Sequence, residues 1–138
     1  MEIKAVLMMI ISLICLIRPI QSNGGNIVDV TKPMTVHFYA AHPYEIKGRI
    51  NIIRFSDVIL NEGFAFSGKT GIFTAPVNGI YQFFYSFHSH RGNANNHWHL
   101  RVNGVVKALC HSQVRSGSTV GSMCTYMTEL AKNDAQNL

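Results

Sequence analysis

The sequence is poor in charged residues, and acidic residues are the scarcer type. Charged side chains make up 14% of its 138 residues, with seven Asp and Glu against twelve Lys and Arg. No close pair of carboxylates for acid–base catalysis can be identified among so few acidic positions, so we expect no enzymatic activity. With 47% hydrophobic residues, the chain also fails the composition criteria for disorder. We therefore expect it to fold.

Clustered bases and collagen repeats are also lacking. The Lys and Arg residues are scattered, without a basic run or an RNA-binding aromatic signature, so a nucleic-acid partner is not expected. Residues 23–33 form a short polar lead whose two adjacent glycines have no Gly-X-Y period. A collagen stalk is therefore not predicted.

No hydrophobic run is long enough to cross a bilayer as a helix, which takes about 20 residues. The apolar run over residues 5–17 follows Lys4 and is ended by Arg18-Pro19, with the small residue Ser22 shortly after. This pattern is typical of an export signal, so we predict that residues 1–22 are a signal peptide cleaved before Asn23. An uncleaved anchor is the alternative. We expect a secreted, extracellular protein that does not insert into membranes.

Cysteine is also scarce. One of the three cysteines, Cys15, lies in the predicted signal peptide, which leaves Cys110 and Cys124. An oxidising extracellular environment favours one disulfide between them. Two buried free thiols, which would stabilise the domain only by packing, are the alternative.

The pattern over residues 34–138 indicates one domain of short β-rich runs separated by turn signals, without a long helix. Asn78-Gly79 and Asn103-Gly104 lie between such runs, and Asn-Gly supplies the positive φ angles of a tight hairpin turn. Seven runs at this spacing predict a β-sandwich or barrel, of which the jelly roll is one form. The runs are residues 34–41, 50–60, 71–74, 80–90, 97–102, 105–111 and 118–130.

The strand predicted over residues 80–90 has two unlike faces. One face is fully aromatic and is predicted to be core. The other mixes apolar and polar residues, as expected where a sheet packs against another subunit, and we assign Phe84, Ser86 and His88 to a subunit interface. An exposed Phe84 without a partner is the alternative.

Residues 63–70 match the phosphate-binding pattern G-x-x-x-x-G-K-[ST] letter for letter, with Lys69 and Thr70 at its end. That loop binds phosphate only where a helix follows it. Residues 71–76 are predicted to form a strand instead, so we interpret the segment as a loop entering a strand.

Four histidines form two H-x-H pairs, which on strands place both rings of a pair on one face. Two such pairs near one loop could surround Zn²⁺, but no nearby carboxylate would orient the rings, so we expect no metal site. A polar loop or subunit contact is the preferred interpretation of these four residues, His88, His90, His97 and His99. The possible ligand surface is His90, Arg91, His97, His99 and Arg101.

Residues 55–63 and 70–83 carry an ordered pattern of aromatic, glycine and proline residues. Its positions are Phe55, Asn61, Gly63, Gly71, Phe73, Pro76, Gly79, Tyr81 and Phe83. The pattern closely resembles the globular head domain of complement component C1q, and the resemblance extends over residues 34–138. Phe66-Ser67 stands where that family usually has Tyr-Asp, a departure that leaves the register intact.

The resemblance implies a two-sheet jelly roll related to the tumour necrosis factor family, assembled as a homotrimer around the second face of residues 80–90. It implies a non-catalytic, secreted recognition protein for microbial surfaces, carbohydrates or other extracellular ligands. A cerebellin-like or tumour-necrosis-factor-like ligand of a cell-surface receptor is the alternative. No cofactor is expected, although some members bind calcium at positions that we do not place here. A comparable cysteine pair in complement members supports the joining of Cys110 to Cys124.

The same resemblance implies two more strands after the turn at Asp134, one of them central to the sheet that holds residues 80–90. The sequence ends at Leu138, so we expect the jelly roll of this chain to lack its last one or two strands. A fragment or an incomplete gene model is the favoured explanation, and completion by a partner is the alternative.

Overall fold

The computed structural model describes residues 7–12, 36–89, 94–115 and 120–138. This part of the chain is all-β. Its strands are β1 (Leu7–Ser12), β2 (His37–His42), β3 (Asp57–Glu62), β4 (Phe66–Ser67), β5 (Ile72–Thr74), β6 (Gly79–Ser89), β7 (Ala94–Val102), β8 (Val105–Val114), β9 (Val120–Leu130) and β10 (Ala135–Asn137). Within these ranges, no helix is long and apolar enough to cross a membrane.

The strands form two five-stranded sheets. The first sheet has the order β3-β2-β1-β6-β9 and the second the order β4-β5-β10-β7-β8. Neighbouring strands pair antiparallel in both sheets. The prediction of a two-sheet jelly-roll sandwich is confirmed.

Alternation along β6 builds the core, as the sequence predicts. The side chains of Tyr81, Phe83, Tyr85 and Phe87 are at most 2% exposed, and they point at the second sheet. Phe73 on β5 meets them from the opposite side, with ring centroids 5.4 Å from Tyr81 and 5.5 Å from Phe83. Edge-to-face packing of this kind stabilises aromatic pairs beyond the area that they bury.

The Asn103-Gly104 turn joins β7 to β8 as predicted, with φ angles of 49° and 77°. Its Asn side chain also reaches the turn before β10: Nδ2 donates to Asp134 Oδ1 at 2.8 Å, and Oδ1 accepts from the backbone N–H of Ala135 at 2.9 Å. The bond from Asn103, with one from the N–H of Ala131, holds the pKa of the Asp134 carboxyl below its usual value. The hairpin is thus tied to β10.

The Asn78-Gly79 hairpin prediction is wrong. The strand before it, β5, lies in the second sheet, whereas β6 lies in the first, so the segment crosses between sheets. Gly79 already pairs with Leu130 on β9. The side-chain Oδ1 of Asn78 accepts a hydrogen bond of 2.7 Å from the backbone N–H of Lys132. The Asn side chain therefore anchors a crossover instead of forming a tight turn.

Cys110 and Cys124 form a disulfide, as predicted, with their Cα atoms 6.2 Å apart. Cys110 lies on β8, an edge of the second sheet, and Cys124 on β9, an edge of the first. The bond therefore fastens the two layers of the sandwich together along one side.

Strand β1 lies within the predicted signal peptide, yet it pairs with both β2 and β6 in the middle of the first sheet. Cleavage before Asn23 stays a prediction, and it would separate this strand from the rest of the chain. Near the other end, β10 pairs with β5 and β7 in the second sheet.

We predict that removal of the disulfide weakens the domain. The two cysteines are separated by 14 positions, and closing such a loop stabilises a fold by roughly 3 kcal/mol in the chain-entropy account. A Cys110→Ser/Cys124→Ser variant should lose stability of this order in urea denaturation, whereas Cys15→Ser should not. Non-reducing mass spectrometry provides the direct check. Alkylation of Cys110 and Cys124 as free thiols, or a bridge between chains, would contradict the assignment.

Phe73 and Phe64 form a matched pair for testing the core. Phe73 is fully buried among aromatic rings, whereas Phe64 is 92% exposed. Truncation of a buried Phe leaves a cavity, so Phe73→Ala should cost about 3–5 kcal/mol. Phe64→Ala should change the free energy of unfolding by less than about 0.5 kcal/mol. Equal losses in the two variants, measured by chemical denaturation, would show that the core is placed incorrectly.

Candidate ligand-binding surface

Strand β7 displays three of the predicted ligand-surface residues, His97, His99 and Arg101, on the outer face of the second sheet. His97 and His99 are exposed, while Leu100 is buried and Trp98 packs against the core beside Phe87, with ring centroids 5.1 Å apart. Polar and apolar residues alternate along this part of β7, so the histidines point away from the core. The tryptophan therefore packs at the edge of the core.

His111 on β8 joins these residues, and the sequence did not reveal it. It lies directly opposite His97, with ring centroids 4.6 Å apart. An ideal two-residue hairpin at Asn103-Gly104 would place Cys110 opposite His97 instead. The register shifts by one residue between Leu100 and Arg101, and this β-bulge moves His111 to the outer face. A bulge cannot be located from the hydrophobic pattern alone.

The outer face of β7 and β8 carries no negative charge. Residues 94–115 contain no Asp or Glu. Half-buried Arg101 lies near the bulge, and exposed Lys107 is the residue that the register shift leaves without a Cα partner. The His111 ring donates from Nε2 to Asn95 Oδ1, which positions it on the surface. Basic side chains and imidazole rings therefore share one open face, which we call the histidine face (Asn95, His97, His99, Arg101, Lys107 and His111).

The structure does not bring His88 to the second H-x-H pair, His97 and His99. His88 lies on β6 and points outward from the first sheet, so the whole sandwich separates it from His97 and His99. His90 and Arg91 lie outside the described residues. In the parts that are described, no group of three or more His, Cys, Asp or Glu could hold a metal ion. The three described residues of the predicted ligand surface, His97, His99 and Arg101, share a face, and His111 lies beside them.

The phosphate-loop pattern forms turns and a short strand. Residues 63–70 contain β4 and lead into β5, without the helix that a phosphate loop needs. Asn61 closes the first turn, since its side chain donates to Phe66 O at 2.8 Å and accepts from the Phe66 N–H. At Gly71 (φ 71°), a Cβ atom would come within 1.9 Å of Ile53 O. Asn61 and Gly71 therefore have structural roles in the turns of this segment.

A groove of about 560 Å³ lies beside this segment, at one end of the second sheet. Phe64 and Lys132 are among the residues that line it. Phe64 is 92% exposed and has a φ of 51°, which is uncommon for a bulky residue. Phe64 is thus an aromatic ring on a strained turn that is accessible to a partner molecule.

The outer face of the first sheet holds the residues assigned to a subunit interface. Phe84 and Ser86 are half-buried and His88 is exposed. On the adjacent strand β9, Met123 and Met127 are 73% and 60% exposed, and they lie opposite Ser86 and Gln82. Large exposed apolar side chains on one face are typical of interaction sites.

Both outer faces belong to a jelly-roll sandwich that presents its functional groups on open sheet surfaces, the architecture of a recognition module. A family model for the C1q domain matches residues 37–136. Because this match covers more than half of the chain, the protein belongs to the C1q domain family. Proteins of this family are generally secreted and non-catalytic, typically form trimers and bind extracellular ligands. The disulfide fits an extracellular location.

Most residues of the sequence pattern that resembles this family have structural roles. Phe55, Phe73, Tyr81 and Phe83 are at most 3% exposed, and Gly79 begins β6. They build the core and its turns, whereas a ligand would meet the outer faces.

Proposed function

We propose that this protein is a secreted recognition protein that binds anionic carbohydrate on microbial or other extracellular surfaces through its histidine face. The observation that carries the proposal is the pairing of His97 with His111 on an exposed sheet that also displays Arg101 and Lys107. These side chains donate hydrogen bonds, and the oxygens of sulfate, carboxylate and phosphate groups accept them.

Absence of acidic residues from residues 94–115 supports an anionic ligand, because nothing within this hairpin would repel it. Arg101 and Lys107 add positive charge to the same face, which favours an anionic partner.

A homotrimer would bind a repetitive surface with higher avidity than one subunit does, because three weak sites act together. One exposed face of two strands offers few contacts, but three copies on a repetitive surface bind together with an effective concentration set by their spacing. The apolar outer face of the first sheet, with Phe84, Met123 and Met127, is the surface that we assign to this assembly.

A second candidate function is that of a ligand for a cell-surface receptor. Phe64 favours it, because an exposed aromatic side chain beside a groove is the kind of residue that anchors protein interfaces. Cell binding that is lost in Phe64→Ala but kept after loss of the histidine pair would favour the receptor function over the carbohydrate function.

We predict that a His97→Ala/His111→Ala variant binds a sulfated or uronic-acid polysaccharide at least about tenfold more weakly than the parent, since the loss of two adjacent hydrogen-bond donors to an anionic group costs more than ~1.4 kcal/mol. His42→Ala, at the end of β2 in the other sheet, is the matched control and should bind like the parent. Surface plasmon resonance against immobilised polysaccharide measures both, with a neutral glucan as the reference. Equal binding by the two variants, or parent binding to the neutral glucan that equals its binding to the acidic polysaccharide, would contradict the proposal.

The assembly prediction concerns Phe84. A carboxylate buried without a partner costs several kcal/mol, so Phe84→Asp should dissociate the trimer to monomers in sedimentation velocity. Leu109→Asp places the same charge at an exposed apolar position on the other sheet and should leave the trimer intact. A Phe84→Asp protein that sediments as a trimer would show that the interface lies elsewhere.

A further inference from the structure

The strands of the second sheet carry no acidic residue. None of β4, β5, β10, β7 and β8 contains Asp or Glu, whereas β3 and β9 of the first sheet do. Asp134, in the turn before β10, is half-buried and accepts hydrogen bonds from the Asn103 side chain and the backbone N–H of Ala131. An anionic polymer that crosses this sheet therefore meets no repelling charge on any strand.

The pairing register lines up outward-facing residues across this sheet. Asn137 on β10 lies opposite Ile72 on β5 and also opposite Arg101 on β7. The chain neighbours of all three residues are buried, so these three side chains lie on the outer face. Ile72 and Lys132 help to line the groove beside β5, and Arg101 belongs to the histidine face. The groove and the histidine face therefore lie on one continuous surface.

The two ends of this surface are farther apart than one sugar ring can reach. Three strand spacings separate β5 from β8, and His97, opposite His111, lies four residues along β7 from Arg101. With about 4.8 Å for each strand spacing and about 3.3 Å for each residue, Ile72 and His111 are roughly 20 Å apart. A linear chain of several linked sugars can contact both ends.

Each end offers contacts that suit an acidic sugar. At the groove, exposed Lys132 supplies a cation. The same groove is lined by the hydroxyl side chains of Ser67, Thr70 and Thr74. At the other end are the paired rings of the histidine face. Cations bind carboxylate and sulfate oxygens, and hydroxyl groups both donate hydrogen bonds to sugar hydroxyls and accept them.

We infer that the outer face of the second sheet is one extended site for a linear acidic polysaccharide. The bound chain lies diagonally from the groove beside β5, over Asn137 and Arg101, to His97 and His111. Such a site rests on the proposed function, and it adds the shape and the minimum length of the ligand. A chain of several sugars contacts both ends, whereas a disaccharide reaches only one.

Oligosaccharides of defined length test the extended site. In isothermal titration calorimetry, a uronic-acid octasaccharide should bind at least tenfold more tightly than the disaccharide, with one octasaccharide per subunit. Lys132→Ala and His97→Ala/His111→Ala should each weaken octasaccharide binding about tenfold, whereas only one of them should weaken disaccharide binding. Lys47→Ala is the matched control, because this exposed lysine is paired with Glu45 outside the strands of the second sheet. It should bind both lengths like the parent.

Three results would overturn the extended site while the histidine face remains a binding site. They are equal affinity for the two lengths, octasaccharide binding that Lys132→Ala leaves unchanged, and an equal loss in Lys47→Ala. No binding of either length by the parent would overturn the proposed function as well.

Asn137 gives an independent readout at the middle of the site. In Asn137→Asp, a carboxylate lies under the bound chain and repels it, so octasaccharide binding should weaken at least tenfold. Binding equal to the parent's would show that the chain does not cross β10.

Discussion

The packing of Phe73 against both halves of the opposite sheet is the contact on which the rest of the structure depends. Its side chain is fully buried and contacts rings from β2 and β6, two strands that are not neighbours in their own sheet. One ring from the second sheet therefore sets the spacing of strands in the first. The sandwich keeps its width because aromatic rings cannot be compressed without a loss of packing.

The core could be predicted from the sequence because it depends on the simplest rule of strand geometry. Alternation along residues 80–89 identified Tyr81, Phe83, Tyr85 and Phe87 as inward-facing, and all four are buried. The disulfide followed from cysteine number and compartment. Asn103-Gly104 was predictable because its backbone conformation is local, whereas Asn78-Gly79 has the same two residues in a crossover, and only the sheet order distinguishes the two.

The histidine face was predictable only in part, since it depends on register. The H-x-H spacing predicted that His97 and His99 lie on one face. It could not predict that His111 lies on the same face, because His111 comes from the neighbouring strand and its orientation depends on a β-bulge. It also grouped His88 with them, although the strands that carry these residues lie in different sheets. Proximity along the chain fails as a guide where consecutive strands alternate between layers. The position of Leu7–Ser12 was missed for a related reason: an apolar run of that length is compatible with an export signal and with a buried strand.

The bulge at Lys107 links two properties that otherwise look unrelated. By shifting β8 one residue against β7, it turns Cys110 toward the interior, opposite Trp98, and in the same step turns His111 outward, opposite His97. The covalent tie between the layers and the composition of the exposed face thus depend on a single backbone irregularity. The gain or loss of one residue in this hairpin would exchange the two sets of side chains, so the length of β8 determines which of its residues face the core and which face outward.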